Sequence, residues 1–168
     1  MSPAAGAAPV RDDAGTADDD QQFERILIAS EGRSIPPAAV DRAIELARGS
    51  GASIHVLSIA RVHGVAFGLP NPGLLPTKRE WAEQREIVAK AVARCKRRGI
   101  EATGHVLGTR KATKSICVEA AKHGCDAIVM AADPDKSRFT GDFLWSQEPQ
   151  RVRRRAKIPV FLISEEAE

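Results

Sequence analysis

The chain has 168 residues, of which 43% are apolar and 28% charged, a balance that fits one soluble globular domain of ordinary size. No apolar run nears the ~20 residues needed to span a bilayer, and Asp crowds the N-terminus where a signal peptide would carry a basic patch and an apolar core. The net charge of +3 is uneven, with −4 in residues 1–22 and +7 in the rest.

Residues 1–21 are rich in Ala, Gly, Pro and Asp and are expected to form a disordered acidic tail. The domain is expected over 22–168. Arg25 to Ala29 reads as a first strand, since Ile26-Leu27-Ile28 is a continuous apolar run suited to burial on both faces. Ser30-Glu31-Gly32-Arg33-Ser34 is a polar turn. Pro36 and Pro37 open a helix in which Val40, Ala43, Ile44 and Ala47 share one face, and Gly49 and Gly51 end it. Ile54 to Ile59 is a second strand, and 60–76 is a loop rich in Gly and Pro.

A long helix is expected from about Thr77 to Arg98, with Trp81, Val88, Val92 and Cys95 as its apolar stripe. Ile100 to Leu107 alternates like an edge strand. A helix over about Lys111 to His123 is expected to bury Ile116, Cys117, Ala120 and Ala121, with Gly124 as its stop. Asp126 to Ala131 is a fourth strand, followed by a loop over 132–146, a short helix to about Ala156, and a last strand from Ile158 to Ser164. Alternation of this kind predicts an α/β fold, a parallel sheet with helices on both faces.

Three cysteines, Cys95, Cys117 and Cys125, lack metal-ligand spacing and read as packing residues. His55, His63, His105 and His123 fall on different elements without metal spacing, so no metal site is expected. The basic cluster Arg151, Arg153, Arg154, Arg155 and Lys157 has no interleaved aromatic and reads as a solvated helix face rather than a nucleic-acid surface.

Three segments carry a resemblance to a known family. They are Arg25-Ile26-Leu27-Ile28-Ala29-Ser30-Glu31-Gly32, the stretch Ala120 to Met130 with Gly124, Asp126 and Ile128-Val129-Met130, and Val152 to Val160 with Pro159. In this order and spacing the chain resembles the universal stress protein family, whose sheet is of the adenine nucleotide α-hydrolase-like type. The resemblance implies a three-layer, doubly wound five-stranded parallel sheet of order 3-2-1-4-5. It also implies a crevice shared by Glu31, Gly32 and the loop after Met130, and a homodimer paired through the last strand, here Val160, Phe161, Leu162 and Ile163.

Nucleotide-binding members of that family carry Gly-x-x-Gly, then nine residues, then Gly-Ser or Gly-Thr, so that backbone N–H groups can close on phosphates. Aligned from Met130, this chain has Ala131 and Pro134 at the first two glycines, and Trp145-Ser146 near the last pair. Pro134 removes a donor outright. The expectation is therefore an altered or vestigial nucleotide site. Its candidate residues are Glu31, Gly32, Met130, Ala131, Lys136, Arg138 and Ser146, with ATP or another adenine nucleotide as the possible ligand. Lys136, Ser137, Arg138, Thr140 and Ser146 would supply side-chain contacts, and Trp145 would fill the crevice. The turn at Ser30 to Ser34 matches neither a Ser-Gly-Gly-x-Asp-Ser nor a His-x-Gly-His loop, so catalysis is not expected. The overall expectation is a non-enzymatic cytoplasmic regulatory protein that acts as a homodimer through protein contacts, with no nucleic-acid or membrane partner. The alternative is an adenine-nucleotide sensor with an altered phosphate loop.

Overall fold

A computed structural model describes residues 21–62, 75–133 and 147–164. The first strand, β1, is Arg25–Ser30, and α1 is Pro37–Ser50. Then come β2 (Ser53–Arg61), α2 (Lys78–Arg97), β3 (Ala102–Thr109) and α3 (Ala112–Lys122). The last three are β4 (Ala127–Ala132), α4 (Glu148–Arg155) and β5 (Val160–Ser164). The five strands form one sheet in the order β3-β2-β1-β4-β5, and every pairing is parallel.

The strands separate two cores. Ile26 and Ile28 of β1, Ile54 and Val56 of β2, and Ala127 and Val129 of β4 face α1 and α2. Leu27 and Ala29, Leu57 and Ile59, and Ile128 and Met130 face α3 and α4. An apolar run is what lets a single strand serve both cores, since successive side chains point to opposite faces. Each fully buried Ile or Leu contributes about 1.5–3 kcal/mol relative to exposure.

The helix ends follow local chemistry. In α1, Pro36 is the N-cap, Pro37 fills the first turn, and Gly51 closes the helix at φ +70°. Thr77 and Glu80 form a reciprocal capping box at the start of α2. At the other end of α2, Gly99 N–H donates to Lys96 O and Ile100 N–H to Cys95 O, the Schellman pattern. The same pattern ends α3, with Gly124 N–H to Ala121 O and Cys125 N–H to Ala120 O. It fixes His123 as the C-cap residue.

Three sequence expectations shift, the simplest being the last strand, β5, which begins at Val160 rather than Ile158. Strand β3 begins at Ala102 rather than Ile100, because the cap of α2 uses Ile100. Helix α3 buries Ala112, Ile116, Glu119 and Ala120, while Cys117 is half-buried and Ala121 is exposed. Its inward face is thus turned toward Glu119, a carboxylate that two histidines meet. Trp81 is half-buried on α2, lying over Gly108 of β3 with the Arg85 guanidinium 5.9 Å from its ring centroid.

Two predictions test this packing. A Cβ at Gly104 would lie 2.5 Å from Val88 Cγ1 and 2.8 Å from Val56 O. Gly104→Ala should therefore cost about 1–3 kcal/mol in chemical denaturation, whereas an uncrowded edge strand would gain stability from it. The second concerns thiols. Burial pushes both the Cys95 and Cys125 thiols up to about 11. With Ellman's reagent near pH ~8, the native chain should release at most the Cys117 equivalent, and the other two only in denaturant. Three fast equivalents from native protein would contradict the two cores.

Candidate functional site

At the carboxyl ends of β1 and β4 the sheet opens into a crevice, the usual ligand position in an open parallel sheet. Ala29 pairs in register with Met130, so the turn after β1 and the exit of β4 leave the sheet side by side. Glu31, Gly32, Met130 and Ala131 are brought to this end, but in different environments. The Glu31 side chain is buried, the Met130 side chain lies in the core beneath α3 and α4, and Ala131 is half-exposed. Gly32 sits at φ +120°, where a Cβ would meet Ile59 O at 3.2 Å, so glycine is required by the turn. Lys136, Arg138 and Ser146, with Pro134 and Trp145, lie outside the described residues.

The crevice is bridged by the chain's own charges. Arg33 Nε donates to Glu31 Oε1 at 2.5 Å, and its two terminal nitrogens donate to the Asp133 carboxylate at 3.0 and 3.4 Å. One guanidinium thus ties the β1 turn to the exit of β4, a planar fork matched to carboxylates. Around it, Arg61 Nε donates to Glu31 O at 2.8 Å and Gln84 Nε2 to Gly32 O at 2.9 Å. The Ser58 hydroxyl donates to Gln84 Oε1, and the Ser30 hydroxyl donates to Arg33 O at 2.5 Å. Sequence reasoning named Glu31 and Gly32 but gave Arg33 no role. The signal that could have found it is an Arg two residues after a crevice carboxylate.

The N-terminal end of α3 and one side of α4 along its length border an open groove of about 610 Å³. Arg110, Lys111, Lys114, Arg151, Arg154 and Arg155 line it, with Glu148 as its acidic member. The Thr113 hydroxyl bonds the Glu148 carboxylate and joins the two helices. Part of the basic cluster read from the sequence as a solvated face is therefore one wall of a groove.

A second polar cluster lies at the opposite, amino-terminal end of the sheet. His55 on β2, His105 on β3 and His123 after α3 stand together, with one ring nitrogen of each within 4.8 Å of the others. His55 Nε2 is 2.8 Å from His105 Nδ1, and His55 stacks on His123 with ring centroids 4.1 Å apart. The Glu119 carboxylate lies 3.1 Å from His105 Nε2 and 3.2 Å from His123 Nε2. Burial, and then the neighbouring His123 and His105, hold His55 down to about 4, so its ring is neutral at neutral pH. Sequence spacing did not reveal this cluster, because parallel register and a helix cap bring its members together.

A family model described as the universal stress protein family matches residues 22–164. No curated protein gives a match. Among solved structures, a universal stress protein from Archaeoglobus fulgidus is 23% identical with a TM-score of 0.64, covering 84% of this chain and 98% of its own. Another Archaeoglobus fulgidus universal stress protein, solved in complex with dAMP, is 21% identical with a TM-score of 0.61, covering 85% of this chain and 99% of its own. A universal stress protein family member from Burkholderia pseudomallei is 22% identical with a TM-score of 0.62, covering 84% and 96%. At these identities the solved structures speak for the fold, while the family model spans nearly all of the described chain. This chain belongs to the universal stress protein family.

Proposed function

We propose that this protein is a non-catalytic regulatory member of its family, acting as a homodimer through protein contacts without binding ATP in the family manner. The observation that carries the reading is the Arg33 bridge to Glu31 and Asp133, which fills the crevice mouth with paired charge. A nucleotide entering there would have to break a partly buried ion pair, a cost that a bare crevice does not impose. The absence of the motif glycines at Ala131 and Pro134 works in the same direction. The Ser30 and Ser58 hydroxyls donate to carbonyl oxygens rather than to a general base, which favours a non-catalytic role.

A second reading, an adenine nucleotide held in an altered mode, is favoured by the relative solved with dAMP. Calorimetry with Mg-ATP and AMP separates the two, with phosphate release followed in the same samples. The first reading expects no saturable heat below ~1 mM and no turnover. Micromolar binding without turnover would replace it with the second, and phosphate release would overturn both. Arg33→Ala should improve nucleotide affinity at least ~10-fold if the bridge is what bars entry.

The homodimer reading rests on β5, which forms one edge of the sheet with Val160, Phe161, Leu162 and Ile163 half-buried. An apolar edge strand is a template for pairing. Because Ile128 N–H bonds Pro159 O, the backbone groups of Val160 and Leu162 turn away from β4. Sedimentation should find a dimer, and Leu162→Pro should give a folded monomer with unchanged far-UV circular dichroism. A variant that stays dimeric would place the contact elsewhere.

A further inference from the structure

We infer that His55, His105 and His123 form a binding site for a divalent transition metal such as Zn²⁺. The site sits at the amino-terminal end of the sheet, away from the crevice, and is independent of nucleotide binding.

The argument begins with register. His55 pairs with Thr103, so His105, two residues further along β3, projects from the same face. That face is the one α3 covers, and the Schellman cap of α3 sets His123 against it. Three imidazoles from three elements therefore converge by backbone geometry rather than by sequence spacing.

The hydrogen bonds then decide which nitrogens are available. His55 Nδ1 is engaged by the Thr103 hydroxyl at 2.9 Å, and His105 Nε2 is engaged by Glu119 at 3.1 Å. The remaining nitrogens, His55 Nε2 and His105 Nδ1, face each other at 2.8 Å. Two facing imidazole lone pairs need either a proton or a cation between them. In a tetrahedral zinc site with Zn–N bonds of 2.0–2.1 Å, adjacent ligand nitrogens stand about 3.3 Å apart, so a small opening admits the metal. His123 Nε2 is engaged by Glu119 at 3.2 Å, and one ring nitrogen of His123 lies within 4.8 Å of one from each of the other two histidines.

An outer set of partners is already in place. Ligating histidines characteristically bond their other nitrogen to a carboxylate or another oxygen, which fixes ring orientation. Thr103 and Glu119 take those positions for His55 and His105. The Glu119 carboxylate is buried, and it supplies negative charge where a divalent cation would add positive charge. Of the cations nearby, Arg25 is tied to Ser53 Oγ at 3.2 Å and to His123 O at 2.9 Å, and the exposed Lys122 Nζ lies 3.8 Å from Glu119 Oε1, on the side away from the oxygen that meets His105 and His123. A cavity of about 180 Å³, lined by His55, Thr103 and His123 together with Arg25 and Glu101, borders two of the three imidazoles, and His105 is itself half-exposed.

The ligand set is all imidazole with a carboxylate behind it. That chemistry suits Zn²⁺, Cu²⁺, Ni²⁺ or Co²⁺ over Mg²⁺ or Ca²⁺. A bound ion would clamp the edge strand β3 to β2 and to the end of α3, and would stabilise the fold by mass action.

The test uses the full chain, stripped with chelator and titrated with ZnCl₂ and with CoCl₂. The expected result is one ion per chain, a visible Co²⁺ absorption that Zn²⁺ bleaches, and a melting temperature that rises with Zn²⁺. His105→Asn and His123→Asn, both at half-exposed positions, should each weaken Zn²⁺ at least ~100-fold, and Glu119→Gln or Thr103→Val ~10- to 100-fold. Circular dichroism of the apo variants checks folding. Should a variant unfold, the imidazole resonances of the wild type provide the second readout, and at one equivalent of Zn²⁺ three of them should shift together. Zn²⁺ binding weaker than ~100 µM would overturn the inference, as would a stoichiometric ion that survives in the His105→Asn, His123→Asn double variant or leaves those resonances unmoved.

Discussion

The central pair of strands, β1 and β4, is shut off from water on both faces of the sheet. Ile26, Leu27, Ile28, Ala127, Ile128, Val129 and Met130 are all fully buried. Such a pair cannot exist without a helical layer on each side, so α1 and α2 must cover one face and α3 and α4 the other. Right-handed crossovers then force the chain outward in both directions from this pair, and a crevice opens where the direction reverses. Asp126 holds the start of the pair. Its carboxylate accepts from the N–H groups of Glu24 and Arg25 at 2.8 and 3.1 Å, and its own N–H donates to Arg25 O.

This constraint made much of the fold legible. Ile26-Leu27-Ile28 and Ala127 to Met130 are continuous apolar runs, and between them the helical spacing and the glycine stops recur in order. The universal stress resemblance rested on the same segments, which is why it held for the family and for the strand order. What was not legible followed from caps and rotation. The start of β3 slipped because alternation from Ile100 cannot show that a Schellman cap has claimed that residue. The inward face of α3 was misjudged at Ala121 because a buried Glu119 is unfavourable on its own and sensible only once His105 and His123 are beside it.

The two polar clusters differ in how a sequence can announce them. Glu31 and Gly32 lie next to each other after a recognisable strand, so the crevice end was visible. Arg33 and Asp133 are 100 residues apart and meet only because β1 and β4 are neighbours. The three histidines are further removed still, since they depend on a parallel register, a two-residue stride along β3 and the closing turn of α3. Spacing rules for metal sites describe ligands on one hairpin or one helix, and they are blind to ligands assembled across strands.

The ends of the sheet are therefore occupied in opposite senses. At the crevice, a cation is already supplied by the protein, and Arg33 satisfies two carboxylates that would otherwise repel each other. At the far end, the protein supplies lone pairs and a buried carboxylate, with Arg25 engaged by Ser53 and a backbone carbonyl and Lys122 beside the outer oxygen of Glu119. The first site thus holds a cation of the protein's own, while the second presents lone pairs beside a buried carboxylate. In a fold whose carboxyl-terminal crevice is the ordinary place for a ligand, the chemistry of this chain directs attention to the other end.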